Sequence, residues 1–268
     1  MNANGRKSIF ITGAASGMGR ETAHLFAGHG WFVGAYDVDT AGLASLEAKI
    51  GGANGIFAAL DVTDPAAFAT AMTAFGTVTG GTLDVMFSNA GVGTGGLFDE
   101  MPWDDIMRIV NINFIGVMIG IRAAVPLLKA TPGSLSLVTS SSSAIFGTAG
   151  IAVYSATKHA VRGLTEALAI ELKRFGVRAA DLLPGLIDTP LLGDQMRVMA
   201  PAEGMWRLTP AREVAEAAWA AYHADTLHWY VPHELKDFHR QVVDSPEAVR
   251  EERTALMAAM MPPAETAA

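Results

Sequence analysis

Tyr154 and Lys158, in the stretch Tyr154-Ser155-Ala156-Thr157-Lys158, stand four residues apart. If the segment is helical, both side chains share one face. A free phenol titrates near pH ~10, too high for proton exchange at neutral pH. A nearby ammonium favours the phenolate and lowers that value, so the pair is an adjustable acid and base. Taken alone, the same pair is also an ordinary feature of a solvent-facing helix.

A second constellation lies near the N-terminus. Thr12-Gly13-Ala14-Ala15-Ser16-Gly17-Met18-Gly19 joins a strand-like run to a helical one. A pyrophosphate needs close backbone approach and the N–H groups of a helix start, and glycines permit both. The spacing is not that of the G-x-G-x-x-G fingerprint, and no Lys-Ser/Thr follows, which disfavours a triphosphate site. A glycine-rich turn without a ligand stays open. Asp37 closes the next strand, in Ala35-Tyr36-Asp37-Val38-Asp39. An acid about 20 residues past the loop is placed to accept from an adenosine ribose 2′-OH and would repel a 2′-phosphate. No Lys or Arg follows Asp37 directly and position 16 is Ser, so NAD is expected over NADP. An ordinary solvated carboxylate is the alternative.

These residues need elements to hold them. Short apolar runs at Ser8–Thr12, Trp31–Tyr36, Ile56–Leu60, Leu83–Ser88, Ser134–Thr139 and Val177–Leu183 predict strands. Helical patterns at Gly17–Gly28, Ala41–Ile50, Pro65–Thr77, Trp103–Leu128 and Val153–Arg174 separate them. Such alternation argues for an α/β fold with a doubly wound parallel sheet, Rossmann-like. The early strands lack polar alternation, as expected when both faces of a sheet are covered. Gly185–Leu208 has no clear period, Pro210–His223 reads as a helix and Leu227–Val231 as a last strand. Asp244–Met261 has helical spacing with Ser245-Pro246 at its start, and Pro262–Ala268 reads as a frayed end. No linker marks a second domain, so residues 1–268 are expected to form one.

Composition narrows the field. The 268 residues are 50% hydrophobic and 17% charged, with a net charge of −8. A chain like this can bury a large core, and its acid excess argues against nucleic acid as a partner. It has no cysteine, which removes disulfides and thiol chemistry and fits a cytoplasmic location. Its most apolar stretch, Ile112–Leu128, is broken by Asn113, Arg122 and Pro126, so no membrane span is expected. His228, His233 and His239 cluster in sequence without the H-E-x-x-H spacing, so no metal site is expected.

The glycine loop, Asp37 and the Tyr154/Lys158 pair, taken together, resemble the short-chain dehydrogenase/reductase family. So do Asn89-Ala90-Gly91, Ser140–Ser143 and Pro184-Gly185, which follow later strands in the family's order and spacing. The resemblance spans Lys7 to about Tyr222. It implies that Tyr154 is the general acid/base, and that Lys158 lowers its pKa and holds the nicotinamide ribose. Ser141, thirteen residues before Tyr154, is implied as the serine that holds the substrate oxygen, with Ser140 and Ser142 as rivals. Asn113, in Asn113-Phe114-Ile115-Gly116, is implied to hold a water linking Lys158 to solvent; a helix polar residue facing a neighbour is the bland alternative.

For the cofactor, NAD, the resemblance implies contacts from Gly13, Ser16, Gly17, Met18 and Gly19, and from Asp37 and Val38. Asp61-Val62 would meet the adenine, and Asn89-Ala90-Gly91 its ribose. Pro184-Gly185 with Ile187 and Thr189 would cup the nicotinamide. The implied function interconverts a secondary alcohol and a ketone by hydride transfer. Leu191, Leu192, Met196, Val198, Met199, Met205 and Trp206, in a lid of about 186–208, would make an adaptable apolar pocket with Phe146 and Ile151, or simply be core. This suits a small hydrophobic alcohol or ketone. The tail, about 232–268, departs from the family's usual Asp-Gly-Gly ending; that puts a homotetramer in doubt and leaves a homodimer. Two other functions remain on the same scaffold: an NAD(H)-binding redox-responsive regulator, and a lyase or isomerase.

Overall fold

In the computed structural model, which describes residues 5–93 and 95–260, β1 (Ser8–Thr12) is buried along its whole length. The chain then runs through α1 (Gly17–Gly28), β2 (Phe32–Asp37), α2 (Thr40–Ile50), β3 (Gly55–Ala59), α3 (Pro65–Thr79) and β4 (Val85–Ser88). Next come α4 (Trp103–Val110), α5 (Gly116–Lys129), β5 (Leu135–Thr139), α6 (Ala152–Glu171) and β6 (Arg178–Pro184). The C-terminal part carries β7 (Ile187–Asp188), α7 (Asp194–Met199), β8 (Thr209–Pro210), α8 (Ala211–His223), β9 (His228–Val231), α9 (Leu235–Asp244) and α10 (Pro246–Met260). The tail segment expected to fray, 262–268, lies outside the described residues.

Seven strands form one parallel sheet in the order β3-β2-β1-β4-β5-β6-β9, and β7 and β8 pair separately. Ile9 of β1 pairs with Val33 on one side and Val85 on the other. The chain therefore winds outward from β1 in both directions, and the crevice at the ends of β1 and β4 is where such sheets take ligands. Both faces of β1 are buried: Ile9 and Ile11 join one core with α1 and α8, and Phe10 joins the other with α3 and α5. That two-sided burial explains the missing polar alternation.

The run expected as one helix, 103–128, is interrupted. Asn111–Ile115 forms a π turn between α4 and α5, with Gly116 N–H bonded to the Asn111 carbonyl five residues back. Such turns widen a helix locally and recur at functional sites. By length and composition alone, Trp103–Lys129 is long and apolar enough to cross a membrane, with mean hydropathy 1.6. In the fold it packs instead beside α3, β4 and β5, with Asn113 fully buried. The tail holds α9, a segment to which the sequence reading assigns no element, ahead of α10.

Candidate active site

The glycine loop leaves β1 and enters α1 through two residues in left-handed conformation. Gly13 has φ +69, and a Cβ there would lie 2.9 Å from the Ala90 Cα; Gly17 has φ +50, with Thr189 Cγ2 at 2.8 Å. Both the angles and the neighbours forbid a side chain. Gly19 serves packing: a Cβ would fall 2.1 Å from the Gly13 carbonyl. Gly13, Ser16, Gly17 and Met18 line a cleft at the sheet's switch point, and Gly19 lies behind them.

Carboxylates and amides hold this loop. Asp37 accepts from the Ala15 N–H through one oxygen and from the Asp39 N–H through the other, both at 3.0 Å. It is a loop tether as well as a cleft wall, with exposed Val38 beside it. Arg20, which the sequence reading missed, donates to the Ala15 and Gly42 carbonyls, each at 3.1 Å. Asn89 donates to the Thr12 and Gly13 carbonyls at 3.1 and 3.2 Å and accepts from Thr139 Oγ1 at 3.0 Å. Its side chain is thus a strut between β1, β4 and β5, and what it turns to the cleft is shared with Ala90 and Gly91. Asp61 accepts from the Thr63 N–H and hydroxyl at 2.9 and 2.7 Å, and both it and buried Val62 line the cleft.

At the far end of the cleft, Tyr154 and Lys158 lie on α6, one turn apart, with the Lys158 ammonium 5.4 Å from the Tyr154 ring centre. Lys158 donates to the Thr139 carbonyl at 2.9 Å. Thr139 was not singled out from sequence; its place as the last residue of β5, directly before the serines, is the signal that points to it. Ser141 lies beside the Tyr154 hydroxyl, close enough to lower the phenol's pKa. It also accepts from the Ser143 N–H at 3.1 Å, so it caps the short 3₁₀ turn Ser142–Ala144. Of its rivals, Ser140 donates to the Lys158 carbonyl at 3.0 Å and is spent on structure.

The titrations differ from the expectation. Burial pushes the Tyr154 phenol above its usual range, and only neighbouring Ser141 pulls it back. The lowering expected from Lys158 does not prevail, because desolvation of the phenolate dominates. Lys158 itself is brought down by burial to about 8.

Asn113 reaches across to the loop after β4. Its oxygen accepts from the Val92 N–H and its amide donates to the Val92 carbonyl, each at 2.8 Å. Both ends of the side chain are engaged, so it clamps the loop after β4.

The segment after β6 divides between the cleft and the core. Thr189, Pro190 and Leu191 line the cleft, whereas Pro184, Gly185 and Ile187 do not. Gly185 N–H bonds the Val231 carbonyl at 2.7 Å, and Ile187 is buried in the core shared with β1. Met196, Val198 and Met199 of α7 are exposed and do not form a pocket wall. Met205, Trp206 and Phe146 pack with α9, so for them the core reading is the apt one. Arg197 ties α7 to the strap by bonds to the Asp188 carboxylate and the Thr189 and Leu192 carbonyls.

Comparison with known proteins agrees with this geometry. Residues 7–198 match the family described as short chain dehydrogenase. Trans-4-hydroxycyclohexanecarboxylate dehydrogenase from Sinomonas cyclohexanicum is 36% identical over 197 residues, covering 69% of this chain and 74% of the relative. The 3-alpha-(or 20-beta)-hydroxysteroid dehydrogenase of Mycobacterium bovis is 36% identical over 187 residues, 69% of this chain and 70% of its own. Among solved structures, 3-ketoacyl-(acyl-carrier-protein) reductase from Brucella melitensis, complexed with NADH, superposes with a TM-score of 0.76 at 32% identity, over 84% of this chain and 96% of that one.

Proposed function

The chain belongs to the short-chain dehydrogenase family of oxidoreductases, and from that premise we propose that it is an NAD-dependent enzyme interconverting a hydrophobic, ring-bearing secondary alcohol and its ketone. The observation that carries this reading is the meeting of Ser141, Tyr154 and Lys158 at one end of a cleft whose other end is walled by Asp37.

The cleft suits a dinucleotide. Gly13 and Gly17 leave backbone where a Cβ would block it, and Asp37 offers a carboxylate to a ribose diol. Among the described residues that line the cleft, Lys158 is the sole base, and it stands at the Tyr154 end. Nothing basic there would welcome a 2′-phosphate near Asp37, which supports NAD over NADP. When bound, the nicotinamide supplies the hydride acceptor for oxidation and the donor for reduction.

The chain's own residues handle the proton. In reduction the buried Tyr154 phenol starts protonated, as its raised pKa demands, and gives its proton to the carbonyl oxygen. In oxidation Tyr154 takes the hydroxyl proton. Ser141 holds the same oxygen as charge develops on it. Lys158, mostly cationic at neutral pH, stabilises that charge, and Thr139 fixes its direction.

The named ring-bearing substrates of the similar dehydrogenases support the substrate class. The apolar groove between α4, the π turn and α6, lined by Phe98, Phe114, Val153 and Ala156, supports a homo-oligomer.

A panel of secondary alcohols with NAD, followed at the NADH absorbance, tests the reading. Cyclic alcohols should outperform ethanol and glycerol. Equal kcat/KM with NADP would refute the cofactor preference, and a reversed alcohol ranking would refute the substrate class.

A further inference from the structure

The family match ends at residue 198, yet α9 reaches back to the catalytic serine by two routes. On its apolar face, Leu235 and Phe238 pack in one cluster with Ile145 and Phe146, the residues directly after the serine turn. On its polar face, His239 Nδ1 lies 2.5 Å from the Tyr230 hydroxyl, and Nε2 lies 3.4 Å from Arg162 Nη2. A guanidinium only donates, so Nε2 accepts and Nδ1 carries the proton given to Tyr230. Burial and the Arg162 charge hold His239 below its ordinary pKa, in agreement with that neutral tautomer.

Arg162 sits on α6, one turn beyond Lys158. Its other terminal nitrogen donates to the Ala144 carbonyl at 3.1 Å, and its Nε bonds Glu166 at 3.2 Å. Glu166 also faces His228 at 3.5 Å, which bonds buried Asp181 at 2.7 Å, so the arginine is embedded in a network with groups of both signs. Ala144 closes the turn that Ser141 caps. Any shift of that carbonyl moves the cap, and with it the hydroxyl beside Tyr154.

We propose that Arg162 is a positioning residue, held by His239 of α9, which pins the Ala144 carbonyl and thereby sets the Ser141 hydroxyl against Tyr154. The proposal rests on the reading of Ser141 and Tyr154 as the reacting pair. It makes the C-terminal tail part of the active site without any tail residue touching substrate.

The test uses the full chain and two readouts. Hydrogen exchange over Ser141–Phe146 reports the turn directly, and kcat with NADH affinity reports the consequence. Misplacing a reacting group by about 1 Å can cost ~100-fold, so Arg162→Met should lower kcat about 10- to 50-fold with NADH affinity held within about twofold. Exchange in the turn should quicken in parallel. His239→Leu should act in the same direction more weakly, and His239→Gln, which keeps an acceptor and a donor, should restore most of the rate. The double variant Arg162→Met/His239→Leu should be no worse than Arg162→Met, since both break one linkage. Additive losses, or unchanged exchange in the turn, would overturn the proposal. Coupled exchange in a wild-type protein that oxidises no alcohol would uphold the pinning and instead overturn the dehydrogenase reading.

Discussion

Between Thr12 and Asn89, polar side chains are used to hold backbone. Asn89 bonds two carbonyls of the glycine loop, Asp37 and Arg20 brace Ala15 from both of its polar groups, and Asp61 folds its own turn. The strap and short helix at Asp188–Met199, which meet that loop where Thr189 faces Gly17, are built otherwise. There Arg197 gathers the strap, while Met196, Val198 and Met199 turn outward and half-exposed Leu191 borders the cleft. A frame that presents a fixed backbone to a dinucleotide tolerates little change. A strap with few buried apolar contacts is the less firmly held of the two.

The sharpest separation should come from the reacting group itself. Tyr154→Phe should lower kcat by about a thousandfold, within the range of general acid–base catalysis, and leave NADH affinity within about threefold because the frame is untouched. Rapid turnover by this variant would remove Tyr154 from the chemistry.

Asp37→Ala attacks the frame's selectivity. It should cut the kcat/KM preference for NAD over NADP about 30-fold, as expected for losing a charge-assisted pair of hydrogen bonds. An unchanged preference would reduce Asp37 to a loop tether.

Gly13→Ala attacks the frame's shape. A left-handed non-glycine residue costs on the order of 1–3 kcal/mol, so NADH affinity should fall about tenfold and the melting temperature with it. Normal values would mean the loop is not a fixed cradle.

Lys158 gives a pH signature. Burial lowers it from 10.5 to about 8. Between those values the unfolded chain holds the proton and the folded chain releases it, so its burial cost is full below pH 8 and relieved as pH rises toward 10.5. Lys158→Met should therefore stabilise the fold by about 1–3 kcal/mol at pH 7 and by clearly less near pH 10, read by denaturant melts. A pH-independent gain would contradict a buried ammonium.

The smallest effect belongs to the strap. Leu191→Ala should raise the alcohol KM about two- to threefold and leave the melting temperature unchanged, as surface substitutions do. A large loss of stability would place Leu191 in the frame.

What was legible follows the same division. The strands of the frame stand within a residue or two of the expected bounds, because burial leaves apolar runs that end at glycine or polar residues. Gly13, Gly17 and Asp37 could be read because backbone geometry and charge restrict residue type there. Asn113 could be found but not its partner, since N-x-x-G does not reveal a π turn or the Val92 amide it clamps. Ser141 and Ser140 look alike in sequence; the Lys158 carbonyl separates them. Helix α9 was hidden because only Leu235, Phe238 and Val242 mark its face, too few for a clear period. In the lid, core and pocket could not be told apart, because apolar type does not say which way a side chain turns in a segment without a period.

The central claim, that hydride passes between an alcohol carbon and a nicotinamide beside Tyr154, has a direct test. The protein is incubated with NAD and its best secondary alcohol, deuterated at the carbinol carbon, and the recovered dinucleotide is weighed. The account predicts reduced dinucleotide heavier by the deuterium, formed mole for mole with ketone and nearly absent with Tyr154→Phe. Ketone formed without label in the dinucleotide, or equal transfer by the variant, would contradict it.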